Sequence, residues 1–487
     1  MNHAGASSRV SFIGLHAEVI CESNSLLHNS RFVQLQPVEP NQRVKLQKCC
    51  ARLNEPCSNR ATVRGVTTVF NVSIDEAEDW VRKNLDMLCE PFGEWKPSSR
   101  FLGGQSAATR ALSDFDPKGY ASNRNQVLPA TARGASALSP YIRHGLLTLP
   151  EVWSYVSGAP ERDRDKFRDE LLWQEYTRHL YARLGTQLSR PLRHQLVDQR
   201  SGDGWSQRDE MACLDFVLNE LEADGWIPNQ TRMWLASHWA IRKATNWQEG
   251  ERRMFSNLLD GSYANRAGWQ WTAGLTTGQP YGFSRLQVSK QASELCPNCP
   301  SQRNCPIEQW PDEPDFEEAP TSLSLRRGDH SPNEPNGAKL DPSRSADVVW
   351  ITAESLGDSD PALTACPDLP VVFVFDIPLL QRLNLHPRRL VFLTECLADL
   401  AQRRNTSVVI GNPVEILGSL NVAVTVAPVP GFRSRSEKIR PAAEYPWPWL
   451  APISDAPLSS FSAWRRTLPD SLGTSSPNRP QLNKRRE

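Results

Sequence analysis

The chain has 487 residues, with 55 basic and 55 acidic side chains. Its formal net charge is therefore zero, which excludes a general polyanion binder and leaves any nucleic-acid contact to a local patch. Apolar residues make up 39%, enough for cores in two or three domains, and no run of 18 apolar residues offers a membrane span. The first residues lack a basic segment followed by a long apolar core. We expect no signal peptide, a reducing cytoplasmic location, and eleven cysteines that act as thiols or metal ligands rather than disulfides.

Residues 1–75 are mixed polar with little periodicity, and a poorly ordered arm is expected there. Residues 76–310 read as helical. In RDEMACLDFVLNELEADGW, Met211, Leu214, Leu218 and Leu221 recur at helix spacing, and Gly225 suits the helix end. ARGASALSP (132–140) breaks the pattern into a loop. Residues 311–345 carry Pro311, Pro314, Pro320, Pro332, Pro335 and Pro342 among charged and small residues, the composition of a linker. From 346 to 470 the texture changes. ADVVWI, LPVVFVFD and SVVIG read as buried strands, and HPRRLVFLTECLADLAQRR reads as a helix with Leu390, Leu393, Leu397 and Leu400 on one face. Strand, helix and strand at this spacing predict a small parallel α/β domain that lacks a full set of strands. Residues 471–487, ending NKRRE, are expected to be a solvated tail.

No Walker loop, H-E-x-x-H or G-x-S-x-G occurs. Nine of the 16 tryptophans fall between Trp153 and Trp271: Trp153, Trp173, Trp205, Trp226, Trp234, Trp239, Trp247, Trp269 and Trp271. Any one of them is core packing by default, but nine together can also stack on a flat ligand or base, or relay electrons. Five segments carry a resemblance. Tyr120 with ASALSPYIRHGLL (135–147), FRDELLWQEYTRHL (167–180), GWIPNQTRMWLAS (225–237), NWQEGERRMF (246–255) and DGSYANRAGWQW (260–271) occur in that order. Together they resemble the flavin-binding domain of the photolyase/cryptochrome family over about residues 100–290. The resemblance implies an all-helical FAD-binding domain followed, in this chain, by a shortened Rossmann-like domain.

The resemblance also implies roles for single residues. Asn265 matches the amide facing flavin N5, and Arg232 and Asp260 match an ion pair beside the ring. Tyr120, Ser136, Leu138 and Ser139 match the phosphate-binding segment, with Phe167, Asn229 and Glu170 also on the cofactor side. Trp269 matches the indole nearest the flavin, and Trp247 the next in an electron relay. Trp205 is the third relay indole by elimination. Glu170, Trp173 and Met233 match groups that hold a flipped pyrimidine dimer, with Arg124 and Trp271 also on the DNA side. Asn229 and Met233 stand where the (6-4) photolyases usually have His, which tilts the implied lesion toward cyclobutane dimers. The chain departs from the pattern at Ala135 and Ala137, in place of Thr and Arg, and at Gln174, in place of Arg; Pro228 and Gln230 also depart from it.

CPNCPSQRNCP places Cys296, Cys299 and Cys305 close together, one thiol short of a closed site. Cys213-Leu214-Asp215 supplies a fourth that is similar to the first ligand in the iron–sulfur bacterial branch of the family. A [4Fe–4S] cluster is implied; zinc, or no metal, stays open on spacing alone. The remaining cysteines read as free thiols. In the C-terminal part, DVVWITAESLGDSDPAL, RRLVFLTECLADL and YPWPWLAPISDAPLSSFSAWRRTL resemble the domain with which photolyases usually begin, so the chain looks circularly permuted. No antenna chromophore is assigned. The implied function is an FAD-dependent DNA photolyase acting as a monomer on UV-damaged DNA. The alternatives are a cryptochrome-like photoreceptor without repair, or a degenerate fold with no flavin. Residues 100–290 hold 24 Lys/Arg against 20 Asp/Glu, a net of +4, which permits a basic groove.

Overall fold

The computed structural model describes residues 69–89, 93–202, 211–309, 314–326 and 337–472. Residues 1–68, Trp205, Trp310 and residues 473–487 lie outside them, and with them most of the expected arm, the third relay indole, the tail's end and Cys21, Cys49, Cys50 and Cys57.

Six helices matter for the site or for what braces it: α1 (Ala77–Asn84), α2 (Glu161–Leu184), α3 (Ala212–Asp224), α4 (Asn229–Ser237), α5 (Trp247–Asn257) and α6 (Arg266–Thr272). Local sequence sets their ends. Gly225 sits at φ 65° after α3, the left-handed cap a side chain would resist. Pro228 precedes α4, and Asn246 caps α5 by accepting from the Gln248 and Glu249 N–H groups. α4 runs on into a π-helical turn, His238–Arg242, that buries Trp239.

Two short strands, β1 (His194–Leu196) and β2 (Phe316–Glu318), pair antiparallel, so part of the Pro-rich stretch is not free coil. A six-stranded sheet follows: β3 (Lys339–Leu340), β4 (Val348–Ile351), β5 (Val371–Asp376), β6 (Thr406–Gly411), β7 (Val422–Thr425) and β8 (Ala443–Tyr445). Its order is β3-β8-β7-β4-β5-β6, parallel except for β3. This corrects the expectation of an incomplete strand set. VAVT and AEY are too short to stand out by pattern, and Lys339–Leu340 is exposed. The five parallel strands have the doubly wound order 3-2-1-4-5. β4, β5 and β7 are buried at every residue, hence their unbroken apolar runs.

The helix α7 (Pro387–Ala401) is buried all round rather than on one face. It lies against β6 and α1, and its polar residues reach into the helical part. Glu395 accepts from the Gly103 N–H at 2.7 Å and Asp399 from the Gln105 N–H at 2.8 Å. On the N-terminal side, Phe70 N–H donates to Thr406 O at 2.9 Å, so residues expected to lie in the arm or the helical domain contact the sheet edge. After β8 the chain returns along α2. Ala451 N–H donates to Glu175 at 2.8 Å, Tyr176 OH to Leu458 O at 2.8 Å, and the last helix, α8 (Phe461–Arg465), pairs Arg465 with Asp169. Among the described residues no helix is long and apolar enough to cross a membrane.

Candidate functional site

α6 packs against α4, α5 and α2, which brings four of the five resembling segments to one place. Arg232 on α4 donates through Nη2 to Asp260 Oδ2 at 2.7 Å, and through Nε to Ile227 O at 2.9 Å. Asp260 is 5% exposed, and its Oδ1 is buried with no hydrogen-bond partner. Asn265 and Asn229 are exposed, Met233 is half-buried, and Trp269 is buried. Trp247 is also buried, at the start of α5. Gly250 of α5 lets two indoles close on the helix: a Cβ there would stand 2.7 Å from Trp269 Cη2 and 2.9 Å from Trp239 Cδ1. Glu251 pairs with Arg266 at 2.9 Å, and burial pushes its carboxyl up to about 6.

The fifth segment closes the other side. Tyr120 meets Phe167 edge to face at 4.8 Å, and burial raises its phenol far above the usual range. Leu138 is fully buried, with Ser136 and Ser139 half-exposed beside it. Ser139 Oγ accepts from Trp226 Nε1 at 2.9 Å, and Arg143 Nε donates to Gly261 O at 2.9 Å, so this segment is tied to the turn that carries Asp260.

On the outer side, Glu170 pairs with Lys166 at 2.7 Å and with Arg124 at 3.6 Å. Trp271 is 41% exposed, near Tyr281. Trp173 is less available than its assigned role requires. One face of its indole stacks on Phe461 at 3.9 Å and 16°, and Tyr176 meets it edge-on. Sequence reasoning missed Phe461, Arg143, His144, Glu354 and Arg389. All five lie inside quoted stretches, but nothing local in the sequence signals whom they meet.

The four cysteines of the metal hypothesis line one small open cavity, with Met211, Arg285 and Leu295. The Ala212 N–H faces Cys299 Sγ at 3.4 Å, and Ser289 Oγ lies 3.4 Å from Cys296 Sγ. Burial, with Cys299, Cys296 and Cys305 nearby, pushes the Cys213 thiol up to about 12. Among the described residues no three His, Cys, Asp or Glu side chains form a group that could hold a metal ion.

Residues 167–300 match the family model described as the FAD binding domain of DNA photolyase. That match falls within the part of the chain that carries the sequence resemblance. Among curated relatives, the deoxyribodipyrimidine photo-lyase of Vibrio cholerae is 30% identical over 183 residues, covering 34% of this chain and 38% of that protein. That of Thermus thermophilus is 31% identical over 179 residues, covering 35% and 41%. Of solved structures, a class III photolyase from Agrobacterium tumefaciens aligns at 25% identity and TM-score 0.33, over 40% of this chain and 45% of that one. A cryptochrome from Synechocystis aligns at 21% identity and TM-score 0.36, over 42% and 47%. The chain thus spans about two fifths of the length of the curated relatives it matches.

Proposed function

We propose that this chain is an FAD-dependent, light-driven DNA-repair lyase of the deoxyribodipyrimidine photolyase kind, acting on cyclobutane pyrimidine dimers in UV-damaged DNA. The observation that carries the reading is the Arg232–Asp260 pair, with Asp260 Oδ1 buried and unpartnered. A buried orphan acceptor calls for a ligand with an N–H donor, and the guanidinium beside it suits a ring that gains negative charge; a flavin brings both. Bound and reduced, FAD would supply light-driven one-electron chemistry toward the dimer.

The chain's own residues then have distinct tasks. Arg232 stabilises negative charge on the ring, and the Asn265 amide can donate or accept as the redox state changes. Tyr120 and Phe167 form a wall, while Ser136, Leu138 and Ser139 offer the phosphates hydroxyl and backbone contacts without the charge that family members carry at Ala137. Trp269 and Trp247 would return an electron to oxidised flavin. Glu170, oriented by Lys166 and Arg124, would hydrogen-bond the flipped bases, and Trp271 and Met233 would pack on them. The test is to reconstitute the purified chain with FAD and illuminate it with a thymine-dimer oligonucleotide. Restoration of intact thymines is expected. No absorbance near 450 nm would sink every flavin reading, and flavin binding without repair would sink the lyase.

A second reading, a cryptochrome-like photoreceptor, is favoured by one observation: Phe461 already covers a face of Trp173. We also propose that Cys213, Cys296, Cys299 and Cys305 hold a [4Fe–4S] cluster. Its support is that Cys213 and the three thiols of a distant segment line one cavity, and that a backbone N–H and a hydroxyl face the sulfurs.

A further inference from the structure

The turn at 259–261 carries Asp260, and the α/β domain grips it from both sides. On one side, His144 stands between Leu259 O, 3.2 Å from Nε2, and Ala353 O, 2.7 Å from Nδ1, in the loop after β4. A neutral imidazole donates to one of these at a time and packs against the other. On the other side, Gly261 O accepts two guanidinium N–H groups: Arg143 Nε and Arg389 Nη2, each at 2.9 Å. Arg143 is paired in turn with Glu354 of the same β4 loop at 2.7 Å. Arg389, from α7, also donates to Phe255 O at 2.6 Å. Both carbonyls that flank Asp260 are thus tied, through side chains, to the sheet domain. The fit is tight, since a Cβ on Gly261 would lie 2.8 Å from Arg389 Nη1 and 2.5 Å from Phe255 O.

The charges are buried as well as the contacts. Glu354 is 8% exposed and Arg389 5%. Buried charges keep fixed positions because each needs its partners, and Asp260 and Glu354 are the acidic groups acting on Arg389. A shift of Asp260 therefore disturbs Arg389, and the reverse holds.

We infer that Glu354 and Arg389 are positioning residues of the flavin site: the α/β domain sets where the Asp260 carboxylate stands and so how the Arg232–Asp260 pair meets its ligand. This rests on the flavin reading above. Neither residue touches the ligand. Their effect passes through Arg143 and the two flanking carbonyls, and removing the Glu354 charge leaves the half-buried Arg143 without its carboxylate partner.

The experiment compares Glu354→Gln and Arg389→Gln with Arg388→Gln. Arg388 is the control: it is the adjacent residue on α7, equally buried, but donates to Lys96 O and Glu222 O rather than to a carbonyl of the turn. FAD binding is titrated well below each variant's melting temperature, and amide exchange at 259–261 is followed in the FAD-free proteins. Glu354→Gln and Arg389→Gln are expected to raise the FAD dissociation constant at least tenfold and to speed exchange in the turn. Arg388→Gln is expected to lower the melting temperature with FAD binding changed less than twofold. Equal effects from all three variants, or none on the turn and on FAD, overturn the inference. Should Arg389→Gln fail to fold, Glu354→Gln alone decides it. If the unaltered chain binds no FAD, the flavin reading itself fails and takes this inference with it.

Discussion

Glu395 sits in the middle of α7, 7% exposed, and burial pushes its carboxyl up to about 7 even though it accepts the Gly103 N–H. The folded state therefore keeps the proton over a range where the unfolded chain has lost it. Stability from this group is present below pH 4.5 and falls as pH rises toward 7, by at most about 3 kcal/mol. Glu395→Gln removes that dependence. Urea denaturation should show the variant gaining on the unaltered chain between pH 4.5 and 7.5, and parallel profiles would refute the linkage. The family resemblance made Arg232, Asp260 and Trp269 candidates. It could not show that Glu395, Arg388 and Arg389 are buried, because HPRRLVFLTECLADL reads as a helix with one wet side. Only the presence of a second layer over that side makes its charges interior.

At the scale of elements, α5 shows how packing overrides propensity. Replacing a helical glycine with alanine normally stabilises by about 1 kcal/mol. At Gly250 the added methyl would press on Trp269 and Trp239, so Gly250→Ala is expected to lower the melting temperature instead and to perturb the indole fluorescence. α3 and the loop after residue 291 meet in the cysteine cavity, which gives a second expectation. Iron per chain, measured with acid-labile sulfide, should be about four and should be lost as fully in Cys213→Ala as in Cys299→Ala. Full iron in the Cys213 variant would remove α3 from the site. The helix containing Cys213 and the turn at Gly225 were legible from spacing. β7, β8 and β3 were not, since two to four residues carry too little pattern, and strands this short gain their stability from neighbours already in the sheet.

At the scale of the whole molecule, the segment after β8 matters most. It returns across the sequence to brace α2, and Phe461 meets Trp173 there. Phe461→Ala should cost about 3 kcal/mol by denaturation, as large buried aromatics do. Its effect on DNA separates the two functional readings. If Phe461 supports Trp173 from behind, as the lyase reading requires, the variant binds dimer-containing oligonucleotide several-fold more weakly. If Phe461 occupies the place of the base, the variant binds it more tightly.

By itself the sequence made legible the helical region, the strands β4, β5 and β6, a family resemblance over part of the chain, and four cysteines worth testing together. These are local patterns or contiguous motifs, readable without knowing what lies opposite. The tertiary structure decided that the sheet has six strands, that α7 is interior on all sides, that Trp173 has a partner, and that Arg143, Arg389 and His144 converge on the Asp260 turn. Each of these joins segments that are not neighbours in the sequence, or depends on which surface a second layer covers. Burial and charge pairing at such a distance arise only when the chain closes on itself.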